Sequence, residues 1–169
     1  NDLWLVLKTQ HVKPGKGGAF AQVEMKSVGK NTKLNERFRS SETVEKASLE
    51  ETDFNYLYDD ENNYIFMDPK TFEQIEIKKD LIGEKGKLMT ENLKVSVSFH
   101  NENPISVELP NQVTCKIETT DVALKGQTVS SSYKPATLDN GLNIQVPPFI
   151  DSGDEVIVDT RTLEYIKKI

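Results

Sequence analysis

The feature that most narrows the fold is a two-residue alternation of apolar and polar side chains, in short runs broken repeatedly by turn chemistry. Residues 19–26, AFAQVEMK, put Ala19, Ala21, Val23 and Met25 on one face and Phe20, Gln22, Glu24 and Lys26 on the other. Period two is a strand signal, because successive side chains of a strand point to opposite faces. Upstream, LWLVL at 3–7 is a continuous apolar run suited to a strand buried on both faces. VGKNTK at 28–33 supplies a turn and LNERFRS a further strand. FNYLYDD, NYIFMD and TFEQIEI then read as three strands separated by DDENN and DPK, and KKDLIGEKGKLM has room for one short helix. LKVSVSFHNENPISVEL returns to alternation with a hairpin at Asn101–Pro104. After Pro110, VTCKIETTD turns Val113, Cys115 and Ile117 inward, Asn140-Gly141 is a hairpin signal, and LNIQV, EVIVDT and TLEYIKKI follow as strands. Strands this short, at this spacing, predict an all-β chain of three consecutive small barrels over residues 1–46, 47–109 and 110–169.

Composition removes several function classes. No run of eighteen apolar residues exists, so no membrane helix is predicted, and the start lacks the pattern of a secretory signal. Cys115 is the single cysteine, which excludes an internal disulfide and fits a reducing, cytoplasmic setting. Two histidines and one cysteine offer no zinc-ligand spacing, so no metal is expected. The net charge of −6 is unevenly spread. Residues 1–46 hold nine Lys/Arg against five Asp/Glu, residues 47–109 six against fourteen, and residues 110–169 six against eight. Two readings stand: a solvated basic face at one end, or a basic end that meets phosphate while the acidic remainder avoids it.

Catalytic signatures fail one by one. In HVKPGKGGAF, Lys16 is followed by Gly17 and a strand, where a Walker-type loop needs Ser/Thr and a helix. GEKGK at 83–87 has the wrong spacing for the same purpose. Ser131-Ser132-Tyr133-Lys134 has the Ser-x-x-Lys spacing of penicillin-recognising enzymes but lacks their Ser-Asp-Asn and Lys-Thr-Gly partners. Cys115 shares a face with Val113 and Ile117, which marks a core side chain and not half of a thiol–base pair with His11 or His100. No Asp/Glu pair stands out as acid and base, so no catalytic residue is assigned. Lys16 is left. A lysine in a Pro/Gly turn is ordinarily surface decoration. Here Lys13 and His11 make the tip cationic, and Gly15, Gly17 and Gly18 clear the way for a partner backbone after Pro14. The tip also belongs to the basic part of the chain, and it reads as a probe: a long cation held at the end of a hairpin.

These residues resemble the bacterial elongation factor P family. KPGKGGAF with VEMK and GKNTKLNERF is similar to its first domain, LYDDENNYIFMDPKTFEQIEI to its second, and KPATLDNGLNIQVPPFIDSGDEVIVDTRTLEYI to the signature of its third. The likeness covers essentially the whole chain. It implies an SH3-like (KOW-type) barrel followed by two OB-fold barrels in an L shape like that of tRNA. The family begins about one short strand pair earlier, which implies that the opening segment of the first barrel is missing here. The resemblance implies a monomeric, non-enzymatic factor that binds ribosomal RNA and proteins between the peptidyl and exit tRNA sites. Beside the peptidyl-tRNA, it would relieve stalling at consecutive prolines. The family's tip lysine matches Lys16, which a modifying enzyme extends with a β-lysyl group in many members. Lys26, Lys30, Lys33, Arg37 and Arg39 are the expected RNA-binding cations.

The physics of the reaction is consistent with that implication. The proline ring fixes φ, which makes it a stiff partner in peptide-bond formation. A cation that steadies the terminal nucleotides would help by positioning, without acid or base chemistry. One place departs from the family. Just before KPATL many members carry a Gly-Asp-x-x-Gly-Arg type motif proposed to contact the exit-site codon. Here Gly126, Gln127 and Thr128 lead up to Lys134 without that Asp or Arg. Two other readings stay open: a paralogue answering a different stalling signal, and a general RNA-binding β-barrel protein. Lys16 separates them, since a general binder would lose affinity evenly with any lysine.

Overall fold

The computed structural model describes residues 2–30, 32–122 and 132–169. Three antiparallel sheets account for the strands. The first contains β1 (Trp4–Val12), β2 (Phe20–Ser27) and β3 (Lys33–Arg39), in that order. The second is built from β4 (Glu50–Asp59), β5 (Asn63–Met67), β6 (Gln74–Lys78), β7 (Lys94–His100) and β8 (Asn103–Glu108), in the order β6-β5-β4-β7-β8. The third is built from β9 (Gln112–Thr120), β10 (Lys134–Leu138), β11 (Asn143–Val146), β12 (Glu155–Asp159) and β13 (Glu164–Lys168), in the order β11-β10-β9-β12-β13. Its outer strands β11 and β13 also lie against each other. The described helical residues are α1 (Lys79–Ile82) and the 3-10 turn Gly83–Leu88 that follows it. None of these helices is long and apolar enough to cross a membrane. The chain forms two compact units, Asn1–Glu50 with Phe99–Ile105, and Glu51–Ser98 with Ser106–Ile169.

Local chemistry explains the turns. Asn101 and Glu102 both take positive φ, at 48° and 65°, which closes the two-residue hairpin between β7 and β8. Between β10 and β11 the chain turns through Gly141 at φ 85°, and the Leu142 N–H donates to the Asn140 side chain at 3.0 Å. The core of the third sheet follows the alternation of β9, with Val113, Cys115 and Ile117 buried among Leu138, Ile144, Val156 and Val158. Leu88, at the end of the 3-10 turn, packs into the same cluster.

Cys115 lies inside that core, and burial pushes its thiol up to about 11. At pH 8 about one thiol in a thousand would then be ionised, and the thiolate is the reactive form. A thiol-reactive dye at pH 8 should therefore label the folded chain far more slowly than the chain in denaturant. Equal labelling rates would show that the thiol is not held inside.

The run at 3–7 behaves differently from expectation. Leu5, Val6 and Leu7 are 57%, 55% and 43% exposed instead of buried on both faces. The reason is position: among the described residues, β1 stands at the edge of its sheet with β2 as its ladder partner. An apolar run alone does not distinguish a doubly buried strand from an edge. One face of this sheet lines a groove of about 680 Å³, bordered by Trp4, Val6, Thr9, Ala21, Val23 and Phe38.

Candidate nucleic-acid interface

The first sheet turns its two faces to different purposes. Directly opposite residues of antiparallel strands share a face. Phe20, Gln22, Glu24 and Lys26 of β2 therefore share one with Arg39, Arg37, Asn35 and Lys33 of β3. The β1–β2 register adds Leu5, Lys8, Gln10 and Val12 to the same side. Five cations (Lys8, Lys26, Lys33, Arg37 and Arg39) thus meet one carboxylate, Glu24, on this face. The other face lines the groove.

Lys8 was not among the expected cations, and a bulge explains why. Val6 pairs with Met25 but Lys8 pairs with Glu24, so Leu7 is an extra residue in the ladder. Strict alternation would put Lys8 on the side of Trp4 and Val6; the bulge moves it across. His11 goes the other way. Opposite Ala21, it lines the groove and does not add to the cationic face. Lys26 is half-buried on that face, while Lys8, Lys33, Arg37 and Arg39 are exposed. Lys30 is on the turn after β2, 3.3 Å from Asp2, and Lys33 is 3.8 Å from Glu24. Lys30, Asp2 and Lys33 are exposed and Glu24 is half-buried, so both pairs are open to screening by salt and leave the cations available to phosphate at small cost. The Arg37 guanidinium stands over the Phe20 ring, 5.0 Å from its centroid.

Beyond the face rises the Lys16 loop. The β1–β2 ladder ends at Val12–Phe20, leaving residues 13–19 to connect the strands. Lys13, Pro14, Gly15, Lys16, Gly17 and Gly18 are all exposed. Gly17 has φ +123°, a conformation that L side chains rarely adopt, and this makes glycine a requirement of the loop. A side chain at Gly15 or Gly18 would meet nothing within 4 Å, so the tip is thin as well as exposed. Its reach is set by the backbone and by the lysine stem alone.

The remaining sequence-singled residues are elsewhere. Lys134 opens strand β10, not a helix, and its ammonium donates to the Asp121 carbonyl. Gly126, Gln127 and Thr128 fall outside the described residues. Among the described residues no group of three or more His, Cys, Asp or Glu is placed to hold a metal ion.

Family models match the three parts of the chain in turn. Residues 1–44 match the elongation factor P (EF-P) KOW-like domain, 49–107 the elongation factor P (EF-P) OB domain, and 113–168 the elongation factor P C-terminal domain. Among curated relatives, elongation factor P of Pelagibacter ubique is 82% identical over 169 residues, covering 100% of this chain and 91% of that protein. Elongation factor P of Bartonella bacilliformis is 50% identical over 167 residues, covering 99% of this chain and 88% of the relative. Its counterpart from Brucella ovis is 52% identical over 166 residues, with 98% and 89% covered.

Proposed function

We propose that this chain, which belongs to the elongation factor P family, relieves ribosomes stalled at consecutive prolines by presenting Lys16 to the reacting end of the peptidyl-tRNA. The family's proteins are translation elongation factors, not enzymes, and they associate with the ribosome. The observation that carries the finer reading is the lysine-tipped loop rising from a sheet with five cations on one face. A cationic face supplies affinity for phosphate without regard to sequence, and a thin tip supplies reach. In this reading Lys8, Lys26, Lys33, Arg37 and Arg39 lie along tRNA or ribosomal RNA phosphates between the peptidyl and exit sites. The acidic remainder turns toward basic ribosomal proteins. Residues 1–46, 47–109 and 110–169 act as three modules of a cytoplasmic monomer. A lysine-modifying enzyme extends the Lys16 amine, which adds length and charge at the tip.

The test is a purified translation system scored on a message with consecutive prolines. Adding the chain should raise the rate of the proline–proline bond and leave a proline-free message unchanged. No acceleration on proline pauses, with acceleration at some other pause, would transfer the chain to the paralogue reading. Salt separates the cations further. Each phosphate contact contributes about one unit to the slope of log affinity against log salt. Lys8→Ala and Arg39→Ala should each reduce the slope for ribosome binding by about one. Lys78→Ala, on the edge strand β6, should leave it unchanged. Equal effects at all three positions would defeat the assignment of this face.

A further inference from the structure

We infer that Ser40 and Phe20 are positioning residues, which fix the direction in which the loop holds Lys16. The inference rests on the proposed role of Lys16 and goes beyond it to the support behind the tip. Among the described residues, no backbone hydrogen bond ties residues 13–18 to one another or to the rest of the chain. The tip's direction must then come from its stem, Val12 and Phe20. On the Val12 side the stem is, among the described residues, an edge strand paired with β2. On the Phe20 side two separate ties join it to the end of β3. The Ala19 carbonyl, one residue before the ladder, accepts from the Ser40 hydroxyl at 2.9 Å and from the Ser40 N–H at 3.4 Å. The Phe20 ring lies beneath the guanidinium of Arg37, its diagonal neighbour across the ladder, two residues before its direct partner Arg39. Ser40 is itself held, because the Glu42 N–H donates to the Arg39 carbonyl at 2.9 Å and the Glu42 carboxylate accepts from the Arg39 N–H at 3.2 Å.

Leverage makes these ties matter. At about 3.4 Å per residue, the four residues from Phe20 to Lys16 span at most about 14 Å, so a stem tilt of about 5° moves the tip through about 1 Å. A misplacement of about 1 Å can cost about a hundredfold in a reaction accelerated by positioning. A surface hydrogen bond and a ring contact of small worth to folding can therefore have a large effect on rate.

The experiment compares Ser40→Ala and Phe20→Leu with Ser40→Thr and Phe20→Tyr, and with Lys16→Ala as reference. Proline–proline bond rate and ribosome affinity are both measured with the full chain. The Ala and Leu variants should lose about tenfold in rate while affinity stays within about twofold of wild type. Ser40→Thr keeps the hydroxyl and Phe20→Tyr keeps the ring face, so both should restore the rate. If rate and affinity fall together, the residues merely hold the sheet and the inference is overturned. It is also overturned if Lys16→Ala loses the rate while Ser40→Ala and Phe20→Leu keep it. If Lys16→Ala itself keeps the wild-type rate, the underlying reading of the tip fails, and the inference falls with it.

Discussion

Replacing Lys16 by alanine should leave a folded, ribosome-binding chain that no longer accelerates the proline–proline bond. The fold should survive because the side chain is exposed and the loop around it contributes no ladder pairing. Surface changes of this kind usually fall within about 0.5 kcal/mol of neutral. Affinity should survive because the five cations of the sheet face remain, and one lysine among several phosphate contacts changes the salt slope by about one. The rate should not survive. If the lysine contributes by holding terminal nucleotides in line, its loss removes a few kcal/mol of positioning, and about 1.4 kcal/mol is tenfold. A fall of about a hundredfold toward the unassisted rate is expected in a rapid-quench measurement. Lys16→Arg should fail as well wherever the modifying enzyme needs an amine. Gly17→Val should fail for a different reason. An added Cβ would stand 3.8 Å from Pro14 Cγ, so space is available, but φ +123° is closed to valine and the loop would have to change course. A Lys16→Ala chain that forms consecutive proline bonds as fast as wild type would remove the central claim.

The elements that the sequence made legible are those governed by local chemistry. The inward set of β9 and the turn at Asn140–Gly141 depend on period two and on glycine's access to positive φ, both visible within a few residues. The Lys16 tip was legible for the same reason, because proline and glycines punctuate it. What escaped depends on register and on neighbours distant in the chain. The bulge at Leu7 is a property of the β1–β2 ladder, and no residue type near it announces an extra position. Lys8 therefore could not be placed on the cationic face, and His11, read as adding charge to the tip, instead stands opposite Ala21 and lines the groove. LWLVL was misread because the strand's apolar character says nothing of how many layers cover it. The tie between Ser40 and Ala19 joins residues 21 apart, and pattern alone carries no trace of it.

Gly86→Ala should destabilise the chain by about 1–3 kcal/mol, the usual cost of forcing extra volume into a packed interior. The sequence offers GEKGK only as a phosphate loop with the wrong spacing; the structure gives its second glycine a different reason. A Cβ on Gly86 would stand 2.3 Å from the Tyr64 hydroxyl oxygen and 2.5 and 2.6 Å from two ring carbons. All three lie well inside contact distance, so either the ring or the 3-10 turn must move. The ring is held on several sides. Tyr64 is buried, packs edge-on to Tyr56 with centroids 6.0 Å apart, and lies 5.3 Å beneath the Lys79 ammonium. Lys79 is anchored in turn by its ion pair with Asp59, whose carboxyl it holds below the usual range, and Asp59 accepts from the Tyr56 hydroxyl at 3.0 Å. Moving the turn instead would withdraw Leu88 from the core it shares with Val113 and Ile117. Either response gives up buried contacts, which is why a single methyl group should be so costly. Denaturant unfolding of Gly86→Ala, Tyr64→Leu and the double variant tests the mechanism. Removing the ring tip should relieve the clash, so the double variant should be less destabilised than the sum of the two single changes, by about 1 kcal/mol or more. Strict additivity, or a Gly86→Ala chain as stable as wild type, would show that the turn and the ring do not constrain each other.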